Sequence, residues 1–177
     1  MLGCRIRVEE PPDHEAIGAV VEEAFGSRAE ARLVEAIRVS AESIPDLSLV
    51  AELDPGIIGH VMVSYATLVD GDVQRRIAML SPLAVKPAQQ RQGVGSALVR
   101  EVTARADRRG EPLVILEGSP VFYPRLGFEP ADRYGIRIPL PSWAPPEAAQ
   151  VLRLAAYDPA WRGQVVYPPA FEQVQQR

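Results

Sequence analysis

Residues 80–100 of the chain, LSPLAVKPAQQRQGVGSALVR, decide the fold more than any other stretch. The segment opens with an apolar run typical of a buried strand and closes with apolar side chains at the spacing of an amphipathic helix. Between them lies a basic turn, in which Gly93 and Gly95 leave the backbone open to close approach by a ligand. The sequence therefore predicts a strand that leads through a tight turn directly into a helix.

This turn is suited to bind a phosphate group. The amide N–H groups from about Arg91 to Ser96 have no intrahelical acceptors, so they are free to point at an anion. Helix polarity adds roughly half a positive charge at the same end, and Arg91 adds a full charge. A P-loop is a poor match, because Gly95 is not followed by Lys-Ser/Thr, and a dinucleotide fingerprint is a poor match because Leu98 replaces its third small residue.

The order strand, Gln90-x-x-Gly93-x-Gly95, helix resembles the pyrophosphate loop of the GNAT superfamily of N-acetyltransferases. The resemblance implies an α/β fold with a mixed, mostly antiparallel central sheet that is flanked by helices and splayed where acyl-CoA binds. It also implies acetyl-CoA as the co-substrate, with its pantetheine paired to the strand before the loop. The residues expected to bind it are Leu83, Ala84, Val85, Gln90, Arg91, Gln92, Gly93, Val94, Gly95 and Ser96.

A second motif follows in residues 117–130, EGSPVFYPRLGFEP. Ser119 and Pro120 are typical of an N-cap and a first helical residue, and they predict a short helix that Gly127 ends. The segment from Tyr123 to Phe128 resembles the aromatic segment that closes the GNAT core in a subgroup of predicted acetyltransferases. The resemblance implies that Tyr123 protonates the departing CoA thiolate, and core packing is the alternative role for this tyrosine.

Composition limits the class of protein. With 177 residues, of which 47% are hydrophobic and 24% charged, the chain suits one globular domain. We expect a single domain over 1–177, with a core at about 4–130 and C-terminal strands and loops at 131–177. The net charge of −4 argues against a nucleic-acid partner and weakly favours a cationic amine substrate.

Few residues are available for disulfides or metal ligation. The chain has one cysteine, Cys4, and two histidines, His14 and His60, so neither a disulfide nor a metal site is expected. Charged residues follow directly after the first four residues, so we expect no signal peptide, no membrane association and a cytoplasmic location.

The remaining pattern alternates predicted helices and strands. Pro82 lies inside the third strand of a predicted antiparallel meander, where it deletes a ladder hydrogen bond and should interrupt the pairing. In chain order we expect a strand at 4–8, helices after Asp13 and Ser27, strands at 47–53, 57–69 and 73–85, a helix that Gly110 ends, a strand at 113–116 and late strands at 151–157 and 164–167.

The resemblance implies direct attack of a neutral amine on the acetyl thioester, with the backbone N–H near Val85 stabilising the oxyanion. The resemblance does not identify the general base. Many relatives carry a glutamate on the strand before the loop, whereas residues 73–85 of this chain contain no acid. His60 on the neighbouring strand ranks first, directly or through water, and its alternative role is a packed core histidine. Glu117 at a strand end and a water held by Ser81 are the other candidates.

The acceptor is not specified by any motif. In folds of this kind the acceptor pocket is formed by early helices and late loops, here around residues 25–38 and 132–143, and the acceptor is a small-molecule or peptide amine. Trp143 and Trp161 are compatible with a homodimer contact as well as with a core. The alternative function is a catalytically inactive GNAT-like module that binds CoA and regulates a partner.

Overall fold

The strands and helices follow the predicted alternation in a computed structural model that describes residues 3–172. The helices are α1 (His14–Phe25), α2 (Arg28–Arg38) and α3 (Val94–Arg108). The strands are β1 (Arg5–Val8), β2 (Ser43–Leu53), β3 (Gly56–Asp70), β4 (Val73–Val85), β5 (Leu113–Glu117), β6 (Glu129–Pro130), β7 (Ile136–Arg137), β8 (Ala149–Arg153) and β9 (Gly163–Val166). Within the described residues, no helix is long and apolar enough to cross a membrane.

The described residues fall into two compact units, and the long strands β3 and β4 and the helix α3 contribute to both. The first unit comprises residues 3–64, 81–105 and 169–172, and the second comprises residues 65–80 and 106–168. The expectation of one domain over the whole chain stays a prediction.

In the first unit the strands are ordered β1, β2, β3, β4. Strand β1 runs antiparallel to β2, with Val8 opposite Leu49, and β2 runs antiparallel to β3, with Val50 opposite His60. Helix α1 ends at Gly26 in the left-handed conformation (φ 67°), which glycine adopts at little cost. Helix α2 then begins with the Ser27 hydroxyl accepting a hydrogen bond from the Ala29 N–H at 3.0 Å.

Helix α3 packs directly against β3 in this unit. A Cβ atom at Gly59 would lie 3.0 Å from Leu98 Cδ1, 3.3 Å from Val94 Cγ1 and 3.2 Å from the Ala84 carbonyl oxygen. The missing side chain therefore lets the first turn of α3 and the end of β4 approach β3 closely. Because Leu98 and Val94 are buried, this contact fixes where α3 begins.

In the second unit the strands are ordered β3, β4, β5, β8, β6, with β9 paired to β3 and β7 to β9. Strand β4 runs parallel to β5, with Ala78 opposite Val114 and Met79 opposite Ile115. Pro82, which has no N–H to donate, follows three residues after this pairing, in agreement with the predicted interruption. Strand β8 pairs antiparallel with both β5 and β6.

Two sequence predictions in this unit need correction. The short helix after β5 is a 3₁₀ helix that begins at Tyr123 rather than Pro120, and residues 120–122 form a turn in which the Ser119 hydroxyl accepts hydrogen bonds from the Val121 and Phe122 N–H groups. The strand expected at 151–157 instead spans Ala149–Arg153, because β8 follows the register of its partner β5.

Candidate functional site

The segment between β4 and α3 forms a closed loop. The Lys86 N–H donates to the Ile58 carbonyl at 2.9 Å and holds the end of β4 against β3. A 3₁₀ turn follows at Pro87–Gln89, and the Gln90 side chain then returns to donate to the Val85 carbonyl at 3.0 Å. The first half of the loop, from Lys86 to Gln90, is therefore held against the ends of β3 and β4.

The first turn of α3 presents backbone donors on the side of this loop. The Ala97 N–H donates to the Gly93 carbonyl at 3.0 Å, so Val94, Gly95 and Ser96 are the first-turn residues whose N–H groups have no intrahelical acceptor. Gly93 is exposed and its φ is 88°, a conformation that an L side chain rarely adopts. The loop thus has the donors, the helix polarity and the open backbone that an anionic group requires.

Arg91 has a strained backbone in this loop. Its φ is 59°, and it is the one non-glycine residue with a positive φ in the described part of the chain. An arginine in the left-handed region costs energy that a glycine would avoid, and such strain concentrates at functional sites. Turn geometry alone would favour glycine at this position. An exposed guanidinium that can bind an anion explains why an arginine is present instead.

The remaining residues predicted to bind acyl-CoA lie in β4 and in the loop. Ala84 and Val85 are buried at the end of β4, Leu83 is half-buried, and Gln92 is exposed with its side-chain amide donating to the Ala88 carbonyl at 2.9 Å. In the first unit the structure therefore brings the predicted strand end and the predicted loop together.

Tyr123 lies in the second unit, in the short 3₁₀ helix after β5. Its ring is 8% exposed and makes edge contacts with Phe122 and Phe128, at 4.9 and 5.5 Å between ring centroids. Burial raises the pKa of Tyr123 to about 12. Its hydroxyl has no hydrogen-bond partner among the described residues, which leaves this group free to donate to a ligand.

His60 is completely buried on β3 and belongs to a polar cluster. Its Nε2 lies 3.0 Å from Glu9 Oε2 and 3.1 Å from Ser48 Oγ. Its Nδ1 has no hydrogen-bond partner in the described part of the chain. Burial lowers the pKa of the His60 ring below its usual value, and the hydrogen bond to Glu9 acts in the opposite direction.

Glu9 is the centre of this cluster. Arg38 Nε donates to Glu9 Oε1 at 2.7 Å, and the Ser48 hydroxyl donates to Oε2 at 2.7 Å. Burial alone would raise the pKa of the Glu9 carboxyl, but the hydrogen bonds from His60, Arg38 and Ser48 hold it well below its usual range. Glu9 is therefore ionised at neutral pH although its side chain is only 8% exposed.

The sequence reasoning missed Glu9, Ser48 and Arg38. Their contact depends on the register of the meander, in which the Glu9 N–H donates to the Ser48 carbonyl and Val50 lies opposite His60, and the sequence does not specify that register. Arg38 reaches the cluster from the end of α2, and a helix-to-sheet contact of this kind has no sequence signature.

A cavity of about 190 Å³ adjoins the cluster within the first unit. Glu9, Arg38 and Ser48 line its polar side together with His14, whose Nε2 is 3.7 Å from Glu9 Oε1. Its remaining lining is largely apolar and includes Ile44 and Met62. In the described residues, no group of three or more His, Cys, Asp and Glu side chains could hold a metal ion.

The other two base candidates have different surroundings. Glu117 ends β5, and the Tyr167 hydroxyl is 3.5 Å from its Oε2. Partial desolvation raises the pKa of Glu117, against the opposing effect of that hydrogen bond. Ser81 is half-buried in β4.

Known proteins match this chain over most of its length. A family model described as the acetyltransferase (GNAT) domain matches residues 45–130. The uncharacterized N-acetyltransferase YhbS of Escherichia coli strain K12 is 37% identical over 152 residues, which cover 85% of this chain and 87% of that protein.

Solved structures agree with this match. The E. coli GNAT family N-acetyltransferase YhbS in complex with CoA has a TM-score of 0.86 at 33% identity, covering 97% of this chain and 93% of that chain. A GNAT family acetyltransferase from Brucella melitensis in complex with acetyl-CoA has a TM-score of 0.77 at 29% identity, covering 97% and 99%.

The fold, the glycine-spaced loop and these matches define an acetyltransferase. The chain belongs to the GNAT family of N-acetyltransferases. The fold class and the enzyme class expected from the sequence are therefore confirmed.

Proposed function

We propose that this enzyme transfers the acetyl group of acetyl-CoA to a primary amine, with the pyrophosphate of acetyl-CoA bound by residues 90–96. The observation that carries the proposal is the loop itself. It combines unpaired N–H groups at the start of α3 with the positive-φ residues Arg91 and Gly93. Relatives with CoA or acetyl-CoA bound support the same ligand for this chain.

The strand before the loop is proposed to hold the thioester. The pantetheine would pair with the backbone of Leu83, Ala84 and Val85, and the Val85 N–H would donate to the oxyanion that forms when the amine attacks. The amine nitrogen forms a bond to the carbonyl carbon, and the carbon–sulfur bond then breaks. One proton from the amine ends on the CoA sulfur, and an ammonium substrate releases a second proton to the protein.

His60 is proposed to accept that second proton. An alkylammonium with a pKa of about 10.4 costs about 4 to 5 kcal/mol to deprotonate at pH 7, so a base accelerates the reaction. Two observations support His60: burial lowers the pKa of the ring, which favours its neutral form, and Nδ1 has no hydrogen-bond partner among the described residues. The neighbouring residue Gly59 lies against the Ala84 carbonyl, on the strand proposed to hold the thioester.

Tyr123 is proposed to donate a hydrogen bond to the sulfur of the leaving group. With a pKa of about 12 for Tyr123 against about 8.5 for a thiol, complete proton transfer would be uphill by roughly 5 kcal/mol. The tyrosine therefore stabilises the thiolate by hydrogen bonding, and the proton of the attacking amine neutralises the sulfur.

Calorimetry with acetyl-CoA tests the proposal. Gly93→Asp puts a negative charge in the loop, and Gly110→Asp is its matched control, because both positions have a similar positive φ and no atom within 4 Å of an added Cβ. We expect Gly93→Asp to weaken binding more than tenfold, equivalent to more than about 1.4 kcal/mol, and Gly110→Asp to leave it unchanged. Equal loss in both variants, or no binding by the natural chain, would contradict the proposed site.

A second assay tests transfer rather than binding. Free CoA thiol is followed after acetyl-CoA is mixed with the enzyme and a panel of primary amines, and each amine is compared with an amine-free control. We expect thioester loss that depends on one class of amine. Binding of acetyl-CoA with no amine-dependent loss across the panel would favour the inactive CoA-binding module.

A further inference from the structure

We propose that Glu9 is a positioning residue, which holds His60 in the tautomer that protonates Nε2 and leaves the Nδ1 lone pair free to accept the proton of the amine. This inference rests on the proposed function, because it specifies how the proposed base is prepared. It assigns a role to Glu9, which directly follows β1. The proposed roles of the loop and of Tyr123 are unchanged.

The geometry of Glu9 determines the tautomer. Glu9 Oε2 is 3.0 Å from His60 Nε2, and a carboxylate oxygen accepts hydrogen bonds but cannot donate one. If Nε2 were bare, two lone pairs would face each other at this distance in a buried site. A proton on Nε2 turns the same contact into a charge-assisted hydrogen bond, and the neutral ring is then bare at Nδ1.

Ser48 does not provide an alternative to this arrangement. Its hydroxyl is 2.7 Å from Glu9 Oε2 and 3.1 Å from His60 Nε2, so its proton goes to the nearer and charged acceptor. The serine oxygen then remains available as a second acceptor for the Nε2 proton. Both contacts therefore favour the tautomer with Nε2 protonated.

Arg38 keeps Glu9 in the required state. Its Nε donates to Glu9 Oε1 at 2.7 Å and its Nη2 lies 3.4 Å from Oε2, which orients the carboxylate and keeps it ionised. The charged and titratable groups that face His60 are Glu9 directly after β1, Arg38 at the end of α2 and His14 at the start of α1. When Nδ1 takes up a proton, the ionised Glu9 offsets the new charge, as a carboxylate does for the histidine of a catalytic triad.

The variant Glu9→Gln should reverse the tautomer. Arg38 Nε needs an acceptor, so the amide oxygen of the glutamine takes the Oε1 position and its NH₂ group takes the Oε2 position. The NH₂ group then donates to His60 Nε2, and the ring proton moves to Nδ1. The substitution conserves shape and removes one charge, and Glu15→Gln on the exposed surface of α1 is the control with the same charge change.

Nitrogen-15 NMR of the imidazole rings gives the primary readout, because a bare ring nitrogen resonates far downfield of a protonated one. In the natural enzyme we expect His60 to have a bare Nδ1 and a protonated Nε2, and we expect the reverse in Glu9→Gln. The measurement on the natural enzyme tests the inference even if the Glu9→Gln variant does not fold. A protonated Nδ1 in that spectrum would overturn the inference, as would an unchanged tautomer in Glu9→Gln.

Kinetics give the second readout. We expect Glu9→Gln to lower kcat by about 10²-fold to 10⁴-fold, the range for loss of a general base, with little change in acetyl-CoA affinity. Glu15→Gln should change neither. A reversed tautomer with an unchanged kcat would overturn the role of Nδ1 in accepting the proton. Failure of the proposed function is distinguishable, because it would show as absent acetyl-CoA binding or turnover in the natural enzyme.

Discussion

Replacing Gly59 by alanine tests the packing that positions the acyl-CoA loop. The added Cβ would lie 3.0 Å from Leu98 Cδ1, 3.3 Å from Val94 Cγ1 and 3.2 Å from the Ala84 carbonyl oxygen. Carbon atoms pack best at about 3.5 to 4.0 Å, so each of these neighbours must retreat by several tenths of an ångström. Leu98 can rotate, but the Ala84 contact is backbone and Val94 belongs to the first turn of α3.

Because Ala84 and Val94 cannot move away easily, the substitution should reduce folding stability. Overpacking a well-packed core costs about 1 to 3 kcal/mol, and we expect about 2 kcal/mol of lost folding stability for Gly59→Ala. For a chain of this size the melting temperature should fall by about 4 to 8 °C. Because Val94 carries one of the free N–H groups, acetyl-CoA affinity should also fall by about threefold to tenfold, equivalent to about 0.7 to 1.4 kcal/mol.

Urea unfolding followed by far-ultraviolet circular dichroism measures the first effect, and calorimetry with acetyl-CoA measures the second. Gly18→Ala is the control, since an added Cβ in α1 meets no atom within 4 Å. This control should gain stability by about 1 kcal/mol, because alanine favours a helix over glycine, and it should bind acetyl-CoA normally. A Gly59→Ala enzyme with the unfolding midpoint of the natural protein would refute the packing argument.

Three further changes have distinct expected results. Arg91→Gly should raise the free energy of unfolding by about 0.5 to 1 kcal/mol, because the relief of the left-handed backbone exceeds the added chain entropy of glycine, and it should weaken acetyl-CoA binding. A loss of both stability and affinity would contradict the view that Arg91 is a strained binding residue. Tyr123→Phe should lower kcat about tenfold or more at an unchanged KM for acetyl-CoA, as stopped-flow thiol release would show, and an unchanged kcat would exclude the thiolate contact. Asp13→Asn should cost about 2 kcal/mol at pH 7, because the hydrogen bonds from Arg7 lower the pKa of Asp13 and stabilise its ionised form. That stabilisation is complete above the unfolded pKa of about 3.9 and is lost as pH falls through the lower folded pKa. Denaturation at pH 7 and at successively lower pH should therefore show the stability difference between the variant and the natural chain shrinking.

Local signals in the sequence predicted the part of the site built from consecutive residues. The path from β4 through the loop into α3 follows from glycine spacing and apolar periodicity over residues 80–100, and the structure agrees with it closely. The sequence also placed Tyr123 in a short helix before Gly127, although that helix begins three residues later than Pro120. Each of these features depends on residues close together in the chain.

The Glu9 cluster could not be predicted in the same way, because its members are distant in sequence. Glu9 and His60 are 51 residues apart, and their contact requires both the register of β1 on β2 and that of β2 on β3. Shifting either register by one residue would turn the side chain to the opposite face of the sheet. The contact of Arg38 with Glu9 also requires that α2 end at the right residue, and a sequence predicts the end of a helix only to within a few residues.

The contrast in exposure between the two histidines determines what a chemical label would report. His14 has 39% of its side chain exposed beside the cavity, whereas His60 has 0%. A histidine-acylating reagent applied to the folded enzyme would therefore react at His14 first, and the mass of the modified peptide would identify position 14. Inactivation by such a reagent would report a modification beside the cavity rather than at His60, and the reactivity of His60 would become a measure of how often the fold opens.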